Sequence, residues 1–312
     1  MQTLAGFLTP CLVVFAAFPL LTGRIAAPWL VPIAACLLIA LSPWLVPAEF
    51  SLLRFLASIS AAMLIFKVID IALDLQRLRR ITWQEYFDFV TNPFTLVRRS
   101  LGSERHRSQK ENLSQLLRGA LGCAASLVVL SGLFRLDWSN VPFLIEHVGK
   151  VAALMLAIAS GLACGAAIWR LCGGTARDFM DRPFVAKTPA EFWRRYNRNV
   201  QQFFWQNFFN GKRSRHAPIR TLILVFGLSA LLHEWLFLAA VGRIQGYQLA
   251  FFTIQGLAAA LTARLKVKGN LAALWLLGTL AFNLATSVLF FASIHAVTPF
   301  YSRGLPVWLQ GW

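Results

Sequence analysis

Acidic residues are scarce in this chain: 13 Asp and Glu stand against 30 Lys and Arg, and charged residues of both signs make up only 14% of 312 positions. An ordinary soluble domain carries about a quarter charged residues, so a large water-facing surface is excluded. Cysteine is sparse as well. Cys11, Cys36, Cys123, Cys164 and Cys172 are odd in number and form no C-x-x-C pair, which leaves neither a disulfide framework nor a thiolate metal site. A signal peptide is not indicated, because the first positive charge, Arg24, lies after the first apolar run rather than before it.

What the chain has in abundance is apolar length. Hydrophobic residues make up 57%, with 26 Phe and 11 Trp, and the mean hydropathy is +0.60. The sequence reads as an all-α polytopic membrane protein, one membrane-embedded domain over residues 1–312. Crossing a hydrocarbon core of about 30 Å takes about 20 apolar residues. Eight such runs are expected as spans: 4–22, 28–47, 51–74, 117–135, 148–169, 219–241, 247–264 and 271–297. The first three, joined at Thr22-Gly23-Arg24 and Pro47-Ala48-Glu49, form an antiparallel group. The seventh is the weakest, being interrupted by Thr253, Gln255 and Thr262.

Charge supports that count. On alternate loops of an eight-span chain, 24 of the 30 basic residues fall on one side. The positive-inside rule makes that side cytoplasmic and puts both termini outside, as in a bacterial inner-membrane protein. The net charge of +17 is then explained by topology and anionic lipid headgroups, not by nucleic acid.

Two polar segments interrupt the spans and are expected as amphipathic helices on the cytoplasmic side. The first, 76–116, mixes polar and apolar residues over Ile81–Val90 and carries the basic runs Arg98-Arg99 and Arg105-His106-Arg107. The second, 176–216, contains Thr188-Pro189-Ala190-Glu191, a helix start with Thr at the cap and Pro at the first turn. The helix it opens is expected to run to Asn210-Gly211. On it Trp193, Asn197, Val200 and Phe204 share a face, Phe192, Tyr196, Phe203 and Asn207 lie beside them, and Arg194, Arg195 and Arg198 lie elsewhere. An interfacial helix with snorkelling arginines accounts for most of this pattern. It does not account for Asn197 on the aromatic face.

His233 and Glu234 interrupt the apolar run Thr221–Val241. Ionisable groups at such a depth are functional candidates, although they also serve as glue between helices. Glu234 points about 100° away from His233 and suits a neighbouring helix. Ser229, one turn earlier, is the residue placed to touch the imidazole, unless its hydroxyl bonds its own backbone. In the third span, Lys67 and Asp70, three apart, with Asp74 one turn on, are expected to make an internal ion pair. His106, His147, His216 and His295 lie in loops or near span ends and read as structural.

Asp181-Arg182-Pro183-Phe184, then Glu191-Phe192-Trp193-Arg194-Arg195-Tyr196-Asn197, then Leu232-His233-Glu234 resemble the signature of membrane-bound O-acyltransferases of the wax-synthase-like branch. The match covers about residues 178–240, with Asn197 and His233 36 positions apart; the branch usually has Trp where this chain has Tyr196. The resemblance implies transfer of an acyl group from acyl-coenzyme A, with no tightly bound cofactor, to a hydroxylated lipophilic acceptor. It makes His233 and Asn197 the catalytic candidates, as general base and oxyanion donor. Arg177, Arg182, Lys187, Arg194, Arg195 and Arg198, with Trp193, are the candidates for holding coenzyme A from the cytoplasm. Glu234, Ser229, Tyr196 and Phe192 are the candidates for lining the substrate space. The chain has no G-x-S-x-G elbow and no H-x-x-x-D motif, so soluble-type acyltransferase chemistry is not indicated. A small transporter or channel with His233, Glu234, Lys67 and Asp70 along its path is the competing expectation, but it calls for internal repeats that are not apparent.

Overall fold

The computed structural model describes residues 2–22, 29–75, 81–100, 107–209 and 218–310, and among these it is all-helical. The expected turn at Gly23-Arg24, the helix stop at Asn210-Gly211, Arg105, His106 and His216 lie outside the described residues.

Helix α1 (Gln2–Thr22), α2 (Leu30–Leu41, continued by a 3-10 turn to Leu45) and α3 (Ser51–Leu75) pack as the expected antiparallel group. The short α4 (Trp83–Thr91) closes their end. It starts on a full capping box, in which Thr82 accepts from the Glu85 amide and Glu85 accepts from the Thr82 amide. Its inner face sends Tyr86, Phe89 and Val90 into the α1–α3 core, and the Tyr86 hydroxyl donates to the Val14 carbonyl at 2.5 Å.

Helices α5 (Gln109–Arg135) and α6 (Phe143–Leu171) form a tight hairpin. Their axes approach at Gly119, where a Cβ would stand 2.8 Å from the Cys164 backbone nitrogen. Only a small residue permits that contact, as is usual between membrane helices. After a loop come the short helices α7 (Pro189–Tyr196) and α8 (Arg198–Phe204), a π turn over Trp205–Phe209, and a final bundle. The bundle comprises α9 (Pro218–Val241), α10 (Tyr247–Thr262) and α11 (Ala272–Val297).

Among the described residues six helices, α1, α3, α5, α6, α9 and α11 with its preceding turn, are long and apolar enough to cross a membrane, so the protein is polytopic. The second and seventh apolar runs form shorter helices, the 16-residue stretch Leu30–Leu45 and the 16-residue α10.

The expected Lys67–Asp70 pair does not form. The Lys67 ammonium donates to the carbonyls of Phe89, Val90 and Asn92 at 2.8, 2.9 and 2.5 Å, capping the C-terminal end of α4. Carbonyls left unpaired at a helix end attract a cation, and they lie closer to hand than a carboxylate on the same helix. Asp70 instead accepts from the Arg98 amide and from Asn207 Nδ2, both at 2.7 Å, while Asp74 pairs with the Arg98 guanidinium. Through Asn207 this buried cluster ties α3 to the chain that carries the aromatic and basic motif.

Candidate functional site

The single amphipathic helix expected from Pro189 to Asn210 is broken at Asn197. That residue leaves helical geometry, at φ −120° and ψ 82°, and its side-chain oxygen accepts from the Val200 amide at 3.1 Å, so it caps α8. Asn competes with the helix for backbone donors, which favours a cap over an interior position. The strand of loop before the motif fills the gap: the Asp181 amide donates to Arg195 O at 2.8 Å, and the Arg198 amide donates to Phe179 O at 3.0 Å. The shared face expected of Trp193, Asn197, Val200 and Phe204 is therefore not formed.

The break gives the motif two unlike sides. Phe192 is buried and stacks on Tyr196, while Trp193 turns into the final bundle, with Phe226 on α9 and Phe252 on α10 as ring neighbours at 5.3 and 5.9 Å. Burial pushes the Tyr196 phenol up from its ordinary pKa, and among the described residues its hydroxyl has the Met155 sulfur, at 3.9 Å, as hydrogen-bond partner. The other side is cationic. One groove of about 520 Å³ is lined by Arg177, Arg182, Arg194, Arg195 and Arg198, with Asp181 and Gln201. A second, of about 650 Å³, shares Arg194 and Arg195 and adds Lys187 and Glu191 from the start of α7 and Arg264 and Lys266 from the turn between α10 and α11. Arg182 sits at the first groove with φ 49°, a left-handed conformation that a residue before proline seldom adopts. Such strain is held in place by surrounding structure and collects at ligand sites. Arg195 is steadied by Glu191 at 2.6 Å, and the second Glu191 oxygen accepts from the Lys187 amide.

His233 is partly buried on α9, with Phe252 of α10 at 4.4 Å and Phe290 of α11 at 6.0 Å between ring centroids. Its Nδ1 lies 2.8 Å from the Ser229 carbonyl oxygen. A carbonyl only accepts, so in the neutral ring Nδ1 carries the hydrogen and Nε2 presents a lone pair. Ser229 thus touches the imidazole through its backbone and not through its hydroxyl. Glu234 faces away as expected: its Oε1 accepts from the amides of Gln245 and Gly246 at 2.6 and 2.7 Å, fixing the turn into α10 where Gly246 has φ 75°. It is a structural tie, although its Oε2 is buried without a hydrogen bond.

Among the described residues no hydrogen bond joins Asn197 to His233. The two halves of the motif meet through Trp193, whose indole N–H donates to Gln255 Oε1 at 2.8 Å while its ring shares Phe252 with His233. Gln255 continues to α11, donating to Thr286 Oγ1 at 2.7 Å and Asn283 Oδ1 at 3.2 Å. The polarity that weakens the seventh run as a span marks these residues. Gln255 and Thr262 face α7, the latter accepting from the Ala190 amide at 3.2 Å. Arg264, Lys266, Phe252 and Phe290 likewise join the site only through tertiary packing.

Two of the other histidines, His147 and His295, lie within the described residues and bond the protein itself. His147 bonds Tyr301 at 2.7 Å and the Leu284 carbonyl and Ser287 at 3.0 Å, and His295 Nδ1 accepts from the amides of Phe300 and Tyr301.

The loop leading to the motif hangs on Asp178. Burial pushes its carboxyl up, but hydrogen bonds from Gln115 and Arg107 and the charges of Arg107 and Arg170 outweigh burial and hold its pKa below the ordinary value. A carboxylate depressed in the folded state stabilises fully above its unfolded pKa of about 3.9, and that stabilisation disappears as pH falls through the lower folded value. Asp178→Asn is therefore expected to lower the melting temperature in detergent at pH 7, and the gap to the wild type should close only below about pH 4. A gap that persists unchanged to pH 3 would show that charge is not what Asp178 contributes.

Among the described residues no group of three or more His, Cys, Asp or Glu is arranged to hold a metal ion. A scan of the chain against protein-family models finds no match, and a search of curated proteins finds none.

Proposed function

We propose that the protein is a membrane-embedded O-acyltransferase that moves an acyl group from acyl-coenzyme A to the hydroxyl of a lipophilic acceptor, with His233 as general base. The observation that carries this reading is the meeting of three features at α7. Cationic grooves suited to phosphates lie on one side of it, its Trp193 reaches inward, and Phe252 links Trp193 to an imidazole whose Nε2 is free to accept a proton.

In this reading the basic end faces the cytoplasm, where coenzyme A resides, and α2 and α10 complete eight crossings with both termini outside. A 16-residue α10 spans about 24 Å at 1.5 Å per residue, which suits a locally thin or protein-flanked crossing. His233, 15 positions into α9, lies about 22 Å from its basic end.

The acceptor O–H gives its proton to His233 Nε2 as its oxygen forms a bond to the thioester carbonyl carbon. The tetrahedral oxyanion collapses, the C–S bond breaks, and the thiolate leaves with the proton returned by the imidazolium. Aromatic walls of Phe252 and Phe290 exclude water that would hydrolyse the thioester. Asn197 Oδ1 is committed to its cap, so only the Nδ2 end of the amide is available to the oxyanion.

The test is incubation of the purified protein in detergent with labelled acyl-coenzyme A of several chain lengths and a panel of alcohols. Ester formation is expected; movement of a solute across proteoliposomes without ester formation would replace this reading with the transporter. Replacing Arg194 and Arg198 together by Gln is expected to raise KM for acyl-coenzyme A about tenfold and to flatten its salt dependence, since phosphate recognition by exposed guanidinium groups is screened. Equal salt slopes in variant and parent would place the donor elsewhere.

A further inference from the structure

Two facing stripes run from the second cationic groove to His233. On α10, Gln248, Phe252, Gln255, Ala259 and Thr262 recur at three- and four-residue intervals and so share a face, and on α11 Thr279, Asn283, Thr286 and Phe290 do the same. Thr262 lines that groove, the two stripes are joined by the Gln255 bonds to Asn283 and Thr286, and they end on Phe252 and Phe290, the ring neighbours of His233.

Hydrogen-bonding capacity along this path is left over. Thr279 is 3% exposed and its hydroxyl oxygen has no partner, and Asn283, whose Oδ1 is taken by Gln255, holds a buried Nδ2 with none. In a membrane interior an unpaired amide N–H costs free energy that neighbouring hydrocarbon cannot return. Buried polar groups are usually satisfied, so these two ask for a complementary ligand. Gln255 is full: one oxygen bond and two N–H bonds fix its amide.

We propose that Thr279 and Asn283 form a subsite for the amide-bearing arm of the thioester donor, with Asn283 Nδ2 donating to an amide carbonyl and the Thr279 hydroxyl pairing with the same amide. The inference rests on the acyltransferase reading above and names which part of the donor lies where. The axial order fits. Phosphates sit in the groove beside Arg264 and Lys266, the arm passes Thr279 and then Asn283, and the thioester reaches the level of Phe290 and His233. Along α11, Thr279 and Phe290 are 11 positions apart, about 16 Å at 1.5 Å per residue. A fatty acyl chain has no group to satisfy either residue, and a simple long-chain alcohol has a single hydroxyl, which the reaction uses at His233.

The experiment compares Thr279→Val, which keeps side-chain shape and removes the hydroxyl, and Asn283→Leu with the parent on two short donors. One is an acyl N-acetylcysteamine thioester, which retains an amide; the other is the matching acyl ethanethiol thioester, which has none. The ratio of kcat/KM for the first over the second is expected to fall about tenfold in each variant, the effect of one lost hydrogen bond to a buried group. Direct titration with coenzyme A itself is expected to show weaker binding in both variants, whether or not ester is made. If the parent binds coenzyme A and makes no ester, the reaction is wrong while the titration still tests the subsite. An unchanged ratio with unchanged coenzyme A affinity overturns the subsite, as does a rise in KM for the acceptor alone. Melting temperatures of the variants, and the Thr279→Val result in particular, separate a binding loss from a folding loss.

Discussion

Replacing His233 by Ala is expected to lower kcat for ester formation by about 10²- to 10⁴-fold, the usual contribution of a positioned general base. An alcohol is a weak nucleophile near neutral pH, and the lone pair on Nε2 is what would take its proton as the C–O bond forms. The Ser229 carbonyl sets that tautomer at 2.8 Å, so Ser229→Ala, which leaves the carbonyl in place, is expected to change kcat less than twofold, well within the small effect of removing an uninvolved surface hydroxyl. His233→Gln tests the base more narrowly, because it keeps polarity and approximate volume beside Phe252. Both His233 variants should still elute as monodisperse protein and bind coenzyme A through the arginine grooves. Full transferase activity in either would remove the imidazole from the chemistry and leave it as a packing group between Phe252 and Phe290.

The largest stability effect is expected at the opposite end of α6. Lys150 donates to Glu146 Oε1 at 2.6 Å, to the Phe300 carbonyl at 2.9 Å and to Ser302 Oγ at 3.3 Å, and Glu146 Oε1 also accepts from the Ser302 amide at 2.8 Å. Both side chains are almost fully buried, and the ammonium lies 4.4 Å from the Phe134 ring centroid. The pair anchors the segment after α11 against α6. Removing one partner strands a buried charge and three or more hydrogen bonds, so Glu146→Ala or Lys150→Ala should each cost about 3–5 kcal/mol. Replacing both together, Glu146→Leu with Lys150→Met, removes the charges and roughly keeps the volume, and is expected to recover most of that loss. Thermal unfolding in detergent checks the contrast. If the double variant is as unstable as either single one, hydrogen bonds to the 298–310 segment and not the unpaired charge carry the stability.

Much of the architecture was legible because membrane helices announce themselves. Apolar runs of span length have few alternative uses, and the helix starts at Thr82, Ser108 and Thr188 all carry Glu three positions on, each with the cap oxygen accepting from the Glu amide. Glu234 was read from the 100° step as pointing away from His233, and it does, although its partners are the amides of Gln245 and Gly246 in the turn after its own helix and not a neighbouring helix. The Lys67–Asp70 pair failed because spacing on one helix says which side chains can meet, not which partner from elsewhere binds better. The continuous helix expected through Asn197 failed for a related reason. Periodicity continues smoothly through it, and only the loop at Phe179 and Asp181 supplies the backbone partners that make the break stable.

By itself the sequence determined that the chain is an apolar, helical, multi-pass membrane protein, and it singled out His233 and the aromatic and arginine motif as candidates, since composition and local spacing carry that information. Only the tertiary structure decided that Trp193 bonds Gln255 and meets Phe252, the ring beside His233, and that Gln255 bonds Asn283 and Thr286 across α10 and α11. Those contacts join residues up to 62 positions apart, Trp193 and Gln255, and a sequence pattern with a period of a few residues holds no record of them.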